Sequence, residues 1–369
     1  MNNRTKLRVL LLQLEFPTWS EARHWSYSAQ LAIEEGLHAN GVRYLTLTTP
    51  WFSRAQEICS GKRFDQVWLE IARHDELDET WLHWVSGLAP VRVGIMPESL
   101  EYFPEEYAVS SVLKMRKQIV ERRLNYITHV VASDENDANV LNTRGPVPAM
   151  WWPQAVPARF ISEDVIKVSN NYAVFSGGIY GERASWLEHP DLQGLLIQQA
   201  SPEHSTVYPA LFNRLHAAVH RFLKSGLPGQ SSALSTYLYF LRRIRRQCFE
   251  SWLHGMRSGR AVVNLPSFLK AYAGRVVEGM AAGRPVISFE VPDRPQTKAL
   301  FEDGHEILLY PKDEPSKLAA QIERIVSDPA LEQRIAANAR RKLQHFHTVE
   351  RRVKQILNWI EMGESPTYV

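Results

Sequence analysis

The chain is organised by short apolar runs that alternate with longer stretches of helical periodicity. Residues 7–14 are a continuous apolar run, which is the pattern of a strand in the middle of a parallel sheet. Further strands are predicted over residues 42–48, 64–71, 91–95 and 126–132, and helices over 26–39, 114–124 and 134–141. This alternation of strands and helices is typical of a doubly wound α/β domain.

A proline-rich segment divides the chain. Residues 143–161 carry four prolines and no periodicity, which predicts a short edge strand followed by an interdomain linker. A second α/β unit begins with a strand over 172–175 that runs directly into a Ser-Gly-Gly turn. Because 369 residues exceed one ordinary core, two domains are expected. The predicted boundaries are 1–155 for the N-terminal domain, 156–345 for the C-terminal domain and 346–369 for a final helical segment.

The most informative segment is residues 275–310. It opens as a helix, which Gly283 and Pro285 end before a short buried strand. Arg275 and Glu278 are three residues apart, so they are neighbours on one helix surface. A glutamate held by a small-residue helix at such a turn suits recognition of a sugar hydroxyl pair. The alternative interpretation is a helix packed on a sheet, with Glu278 solvated.

Composition excludes several classes of protein. The formal net charge of +3 is too small to indicate a nucleic-acid partner. Two cysteines, far apart in the sequence, favour a reducing compartment, and we expect a cytoplasmic protein. No cluster of Cys or His has metal-ligand spacing and no Asp-x-Asp pair occurs, so no metal site is predicted. The absence of G-x-G-x-x-G after the first strand disfavours a nicotinamide dehydrogenase, and no cofactor is predicted.

One basic helix leaves two interpretations open. Residues 237–252 are amphipathic, with Arg242, Arg243, Arg245 and Arg246 clustered together. Such a helix can lie against anionic lipid, which would give a peripheral membrane contact. The other interpretation is an ordinary surface helix whose arginines are solvated or paired with acids.

Four features of the C-terminal half resemble one family. The first two are a strand that enters Gly177 and Gly178 and an R-hydrophobic-hydrophobic-E-x-x-A-x-G helix over 275–283. They are followed by an F-x-x-G-x-E-hydrophobic-x-x-Y segment over 301–310 and by His347-Thr348 with Arg352. Together they resemble the GT-B class of nucleotide-sugar glycosyltransferases. The C-terminal half looks most like the glycosyl transferases group 1 type, in the branch of the CgeB-like spore-maturation proteins. The resemblance covers residues 172–360, and the N-terminal half matches only in its alternation of strands and helices and in the linker.

The resemblance implies an α/β GT-B fold, in which two Rossmann-like domains face a cleft and a C-terminal helix crosses back to the N-terminal domain. The C-terminal domain would hold the nucleotide-sugar without a metal. By that analogy Glu278 would accept hydrogen bonds from the ribose hydroxyls. The Gly177-Gly178 turn would let backbone N–H groups approach the diphosphate. Arg183 and Arg275 are candidates for neutralising the charge of the leaving group.

One position departs from the family pattern. Related retaining enzymes carry a first glutamate eight positions before the ribose-binding one, near the sugar. Here that position is Lys270, which we include among the donor-binding candidates. Glu290 and Asp293 are the nearest acids that could take the place of the missing glutamate. Retention of stereochemistry therefore cannot be inferred.

The N-terminal domain would supply the acceptor site and a general base. His24, in the first loop, has an intrinsic pKa near neutrality and could take a proton from an acceptor hydroxyl. Glu98 is a rival base, because it follows a predicted strand and the carboxyl ends of strands line the cleft of open α/β sheets. His129, within a strand, is predicted to be structural.

These observations predict a glycosyltransferase that moves a sugar from a UDP- or GDP-sugar to a glycan, lipid-linked or protein acceptor. A second class is a non-catalytic nucleotide-sugar-binding protein that keeps the fold, which the lysine at position 270 favours. A third is a nucleotide-sugar epimerase of the same architecture, which would need no acceptor.

Overall fold

The computed structural model describes residues 7–13, 32–72, 77–107, 111–163, 168–179, 181–199 and 207–369. These residues form two parallel sheets flanked by helices, one in each half of the chain. The two α/β units predicted from the strand and helix rhythm are therefore present.

The N-terminal sheet has the strand order β2-β1-β3-β4-β5-β6, with every pair parallel. Its strands are β1 (Arg8–Gln13), β2 (Arg43–Thr48), β3 (Gln66–Glu70), β4 (Val91–Met96), β5 (His129–Ala132) and β6 (Ala149–Trp151). Its helices are α1 (Ile33–Ala39), α2 (Ala55–Cys59), α3 (Glu79–Ser86), α4 (Pro104–Tyr107), α5 (Ser111–Arg123) and α6 (Glu135–Arg144). Every residue of β1 after the first is buried, as expected for a central strand of a parallel sheet.

The C-terminal sheet has the order β11-β10-β9-β7-β8, again parallel throughout. Its strands are β7 (Ala173–Phe175), β8 (Leu196–Gln198), β9 (Val262–Asn264), β10 (Val286–Phe289) and β11 (Leu308–Tyr310). The helices are α7 (Arg183–Leu187), α8 (Val207–Ser225), α9 (Gln230–Met256), α10 (Gly274–Ala281), α11 (Pro295–Ala299), α12 (Pro315–Ser327), α13 (Pro329–Phe346) and α14 (Val349–Met362).

Helix α10 packs very closely on the C-terminal sheet. Its apolar side, with Val276 and Met280, is fully buried. Gly279 permits the approach, because a Cβ at that position would lie 2.9 Å from the Cβ of Val262 and 3.0 Å from a methyl of Val286. The helix ends at a left-handed Gly283, as its sequence predicts.

Two of the segments that cross between the domains, the linker and the start of the last helix, are bonded to each other. The N–H of Val156, in the linker, donates to the carbonyl of His347 at 3.1 Å, and the N–H of Val349 donates to the carbonyl of Val156 at 3.0 Å. Arg352 is fully buried and donates to the carbonyl of Pro153 at 3.0 Å. The His-Thr-x-x-x-Arg motif therefore fastens the linker to the start of the last helix.

The last helix packs back on the N-terminal domain, as the GT-B resemblance implies. The side-chain amide of Asn40 donates to the carbonyl of Glu350 at 2.9 Å. Gly36 of α1 lies against α14, where an added Cβ would approach a methyl of Val353 to 2.3 Å and the carbonyl oxygen of Val349 to 2.9 Å. The contact thus depends on the absence of a side chain at position 36.

The long helix α9 also joins the two halves. Its N-terminal part packs into the core beneath the N-terminal sheet through Tyr237, Leu241 and Ile244, among others. Helix α8 reaches the same core through Val219. Residues that the predicted boundaries assign to the C-terminal domain therefore contact the N-terminal core, and the boundaries themselves stay a prediction.

A buried ion-pair network closes the edge of the C-terminal sheet where β9 and β10 begin. Glu332 of α13 pairs with Arg260 at 2.8 Å and with Arg284 at 3.2 Å. Arg284 has a side chain that is 2% exposed, and burial lowers its pKa. One carboxylate thus compensates two desolvated cations.

Candidate functional site

The Ser-Gly-Gly turn follows β7 at the carboxyl edge of the C-terminal sheet. Ser176 and Gly177 are buried, and Gly178 is exposed. The Ser176 hydroxyl donates to the side-chain oxygen of Gln199, and Gln198 donates to the carbonyl of Gly177 at 3.2 Å. The two glutamines come from the end of β8 and brace the turn from the neighbouring strand.

Arg275 lies directly against this turn. A Cβ at Gly177 would approach Nη2 of Arg275 to 2.6 Å and its Cζ to 3.1 Å. The guanidinium also lies over the ring of Phe175, with Cζ 4.8 Å from the ring centroid. Because Arg275 is half-buried at the start of α10, its charge is held beside the glycine turn. The structure thus brings together Gly177 and Arg275, two of the predicted donor-binding residues.

Arg183 also contacts the turn. It is 1% exposed, and its guanidinium donates to the carbonyl of Pro266 at 2.9 Å and to the carbonyl of Gly178 at 3.0 Å. Its Cζ lies 5.4 Å from the centroid of the Phe175 ring. The geometry gives Arg183 a clear structural role, since it ties the glycine turn to the loop after β9. Its predicted role at the diphosphate is not tested by this arrangement.

Glu278 lies one turn further along α10, as the three-residue spacing predicts. It is fully buried, and the indole Nε1 of Trp252 donates to its Oε2 at 2.9 Å. The alternative of a solvated Glu278 is therefore wrong. The carboxylate is enclosed between α9 and α10, so its predicted contact with a ribose would require access that this arrangement does not provide. That role stays a prediction.

Lys270 faces the N-terminal domain. Its ammonium group pairs with the carboxylate of Glu106, and its backbone N–H donates to Oγ of Ser99 at 2.9 Å. The same ammonium group lies 3.9 Å from the centroid of the Phe103 ring. Burial lowers the pKa of Lys270, and the nearby cations Lys312 and Arg294 act in the same direction.

A second polar contact crosses the cleft beside the first. Arg294, after β10, pairs with Asp134 at 2.6 Å, and Asp134 is 1% exposed. Glu135 accepts the backbone N–H groups of Gln296 and Thr297 at 3.2 and 2.5 Å. Acids at the start of α6 therefore hold the corner between β10 and α11. Asp293 stands at that corner with φ of 56°, a left-handed conformation that a non-glycine residue rarely adopts.

On the N-terminal side, Glu98 is the only predicted base that the described residues include. Its carboxylate pairs with Arg116 at 2.5 Å, and its side chain is 38% exposed. Arg116 also donates to the hydroxyl of Tyr102. Next to it, burial and the Asp134 charge raise the pKa of the Asp137 carboxyl to about 8, while the N–H of Leu100 donates to it at 2.9 Å. His24 lies outside the described residues.

Several residues of this region were not predicted from the sequence: Ser99, Asp134, Glu135, Arg294 and Lys312. They share one feature, since each follows the carboxyl end of a parallel strand. Residues that follow the carboxyl ends of parallel strands line the cleft of open α/β sheets, and this rule could have identified them as it identified Glu98. Local periodicity does not show which of these side chains meet between the domains, because that depends on how the two domains pack.

The clustered arginines of α9 do not form one basic surface. Arg242 makes a bidentate pair with Glu34 at 2.9 and 2.8 Å, and Arg245 is buried and donates to Gln13 at 2.9 Å. Arg246 pairs along the helix with Glu250. The interpretation in which the arginines pair within the protein therefore fits the geometry, and the membrane contact through this cluster is not supported by it.

Three further observations concern His129, metal ions and membrane-spanning helices. His129 packs edge-on against Trp359 of α14, with 5.2 Å between ring centroids, which suits a structural residue. Within the described residues, no group of three or more His, Cys, Asp or Glu side chains is placed to hold a metal ion. The helices described here include none that is long and apolar enough to cross a bilayer.

Comparison with known proteins bears on both the fold and the family. Residues 249–358 match a family described as Glycosyl transferase-like. D-inositol 3-phosphate glycosyltransferase from Streptomyces bingchenggensis (strain BCW-1) is 29% identical over 104 residues, which is 28% of this chain and 22% of that protein. The match therefore spans less than a quarter of this curated relative.

Solved structures resemble nearly the whole chain. An alpha-glucosyltransferase in complex with UDP and a 13-mer DNA superposes with a TM-score of 0.59 at 10% identity, covering 96% of this chain and 100% of that one. Sucrose-phosphate synthase from Thermosynechococcus elongatus gives 0.57 at 12% identity, covering 96% and 98%. Anabaena HepE in complex with UDP and glucose gives 0.53 at 13% identity, covering 96% and 99%.

The fold is GT-B. The chain has two parallel Rossmann-like sheets, and the solved structures that it resembles over nearly its whole length are GT-B glycosyltransferases, so the predicted fold class is confirmed. The match of residues 249–358 to a glycosyltransferase family supports a transferase, and that segment contains α10 with Arg275 and Glu278. The CgeB-like branch stays a prediction.

Proposed function

We propose that this GT-B protein is a glycosyltransferase that transfers a sugar from a UDP- or GDP-sugar to a glycan, lipid-linked or protein acceptor. The proposal includes metal independence and membership of the CgeB-like branch. The observation that carries it is Arg275, a half-buried cation held against the Gly177 turn at the carboxyl edge of the C-terminal sheet.

The chemistry of sugar transfer explains why this arrangement matters. Negative charge accumulates on the departing nucleoside diphosphate, so a fixed guanidinium beside it stabilises the transition state more than the ground state. Arg183 donates to the carbonyl of Gly178 in the same turn and adds a second buried positive charge. Two cations in these positions can do the work that a divalent metal does in other transferases. Related folds crystallised with UDP make a nucleoside diphosphate the natural ligand to test.

The test is a panel of UDP- and GDP-sugars incubated with the purified protein in the presence of EDTA. Release of UDP or GDP and a mass shift of the acceptor would be measured, with and without candidate glycans and lipid-linked sugars. We expect turnover of at least one donor, and a loss of about tenfold or more in kcat/KM for Arg275→Gln, because a charge-assisted contact contributes about 1.5–3 kcal/mol. Absence of both binding and turnover for every donor would contradict the proposal.

A non-catalytic nucleotide-sugar-binding protein is the second candidate, and one contact favours it. The position near the sugar is Lys270, and its partner Glu106 is bound in an ion pair instead of being available as a base. Calorimetry separates the two functions, since the second candidate predicts saturable binding of UDP or GDP with no donor hydrolysis or transfer.

A further inference from the structure

Lys270 lies at a place where one side chain can connect the two halves of the proposed site. Its own loop follows β9 and carries Pro266, which is bonded to Arg183 beneath the glycine turn. Its ammonium group reaches Glu106 in the short helix α4, at the end of the loop that follows β4 of the N-terminal domain. Both side chains are 8% exposed, so the pair is sheltered from solvent.

The loop after β4, residues 97–107, is held by more than this ion pair. Ser99 accepts the backbone N–H of Lys270, and Phe103 lies 3.9 Å from the Lys270 ammonium and 5.7 Å from the Lys312 ammonium. Phe103 keeps 39% of its surface exposed, so the two lysines touch it without burying it. Glu106 also accepts the N–H of Phe103 at 2.7 Å and shapes the loop from within. Lys270 is therefore the residue of the C-terminal domain around which the loop is arranged.

We propose that Lys270 is a positioning residue that sets the acceptor-side loop 97–107 against the donor-side loop after β9. The inference rests on the proposed function, because the candidate base Glu98 belongs to the same loop and is directly followed by Ser99. The Lys270 side chain acts through Glu106 and Phe103 and not by touching the nucleotide, while the backbone N–H of the same residue holds Ser99. A cation at this position suits the role, since an acid there would repel Glu106.

This proposal makes a different prediction from a direct donor contact. A positioning residue changes kcat, because a misplaced loop misaligns the acceptor, while the affinity for the nucleotide stays the same. A donor-binding residue changes the affinity for the nucleotide whatever residue stands at position 106. The two roles are therefore separated by measuring both quantities in a double-mutant cycle.

The cycle uses Lys270→Met, Glu106→Gln and their combination. The glutamine keeps an acceptor for the Phe103 N–H, and the double variant contains no unpaired buried charge, so it remains informative if Lys270→Met folds poorly. Lys117→Met is the matched control, because Lys117 pairs at 2.9 Å with Glu101 on the same loop but does so at the exposed surface of one domain.

We expect kcat to fall on the order of tenfold to a hundredfold in each single variant, and the double variant to be no worse than Lys270→Met. The Kd for UDP, measured by calorimetry, should change by less than about threefold in all of them. Lys117→Met should keep kcat within about twofold. A tenfold weaker UDP affinity in Lys270→Met that is unchanged by Glu106→Gln would overturn the proposal.

Amide hydrogen exchange tests the same proposal without any turnover. Residues 97–107 should exchange at least about tenfold faster in Lys270→Met than in wild type or in Lys117→Met, because the contacts of the ammonium group with Glu106 and Phe103 are lost and only the backbone bond to Ser99 remains. Unchanged exchange there would refute the positioning role even in an active enzyme. Failure of the wild-type protein to bind or turn over any nucleotide-sugar would instead refute the proposed function, and the exchange result would still decide the role of Lys270.

Discussion

The replacement Gly177→Ala tests whether the glycine turn and Arg275 act together on a nucleotide. The added methyl carbon would lie 2.6 Å from Nη2 and 3.1 Å from Cζ of Arg275, and 3.1 Å from Cζ of Phe175. Ordinary carbon contacts need about 3.5–4.0 Å, so the guanidinium must move by roughly 1 Å. Because Nη2 is the far end of a flexible side chain, the chain can fold while the charge is displaced from the turn.

The size of the effect follows from the contact that is lost. A hydrogen bond to a charged group contributes about 1.5–3 kcal/mol, which corresponds to a loss of roughly 10- to 150-fold in affinity for UDP. Arg275→Gln removes the same charge without filling the turn, so the two variants should weaken UDP to a similar degree. Their combination should be little worse than either single change, since both act on one contact.

Isothermal calorimetry with UDP, accompanied by thermal unfolding of each variant, gives the required numbers. Gly87→Ala is the control, because a Cβ there meets its nearest atom at 3.5 Å and the residue lies far along the chain in α3's C-cap. If Gly177→Ala and Arg275→Gln both bind UDP as tightly as wild type, the nucleotide does not occupy this turn and the reasoning fails. If only Arg275→Gln loses affinity, the predicted displacement of the guanidinium is wrong.

Three further predictions concern stability. Gly36→Ala should cost about 2–3 kcal/mol in urea unfolding, because its methyl would overlap Val353 across the α1–α14 contact, and an unchanged midpoint would show that the last helix is not packed there. Glu332→Gln should cost about 2–4 kcal/mol by the same assay, because two buried arginines lose their shared carboxylate; equal stability would mean that the network is not desolvated. Between pH 3.8 and about 8, the Asp137 carboxyl is protonated in the native state and ionised in the unfolded chain, because its pKa is raised on folding. The free energy of unfolding that this group contributes therefore falls as pH rises through that window. Asp137→Asn should therefore unfold at a higher temperature than wild type at pH 8 and at the same temperature near pH 4, and identical curves at both values would contradict the assignment.

Local sequence patterns determined the elements of the fold well. The strand Val286–Phe289 directly follows Pro285, as predicted, and the helix Val349–Met362 lies within the predicted final helical segment 346–369. Pro329 follows Asp328, whose side chain accepts two backbone N–H groups as a helix cap. Asp313 precedes Pro315 in a similar pattern, yet the cap residue of α12 is Glu314, which makes no side-chain hydrogen bond to the backbone of the helix. Capping depends on backbone angles of one residue, which a Pro-containing pattern leaves uncertain by one position.

The candidate site was predicted less completely because its contacts are distant in sequence. The three-residue spacing of Arg275 and Glu278 placed both on α10, but nothing local to Glu278 indicates that Trp252 encloses it. Likewise, Lys270 and its partner Glu106 are 164 residues apart in the sequence. The first pair depends on how α9 packs on α10 and the second on how the two domains dock, so periodicity and turn chemistry cannot identify either of them.

The most direct test of the central claim is amide hydrogen exchange of the full chain with and without saturating UDP. We expect slower exchange in residues 176–183 and 274–281, which contain the glycine turn and α10, with little change at the amino edge of the same sheet. Binding of UDP that protects other segments and leaves these two unchanged would contradict the account.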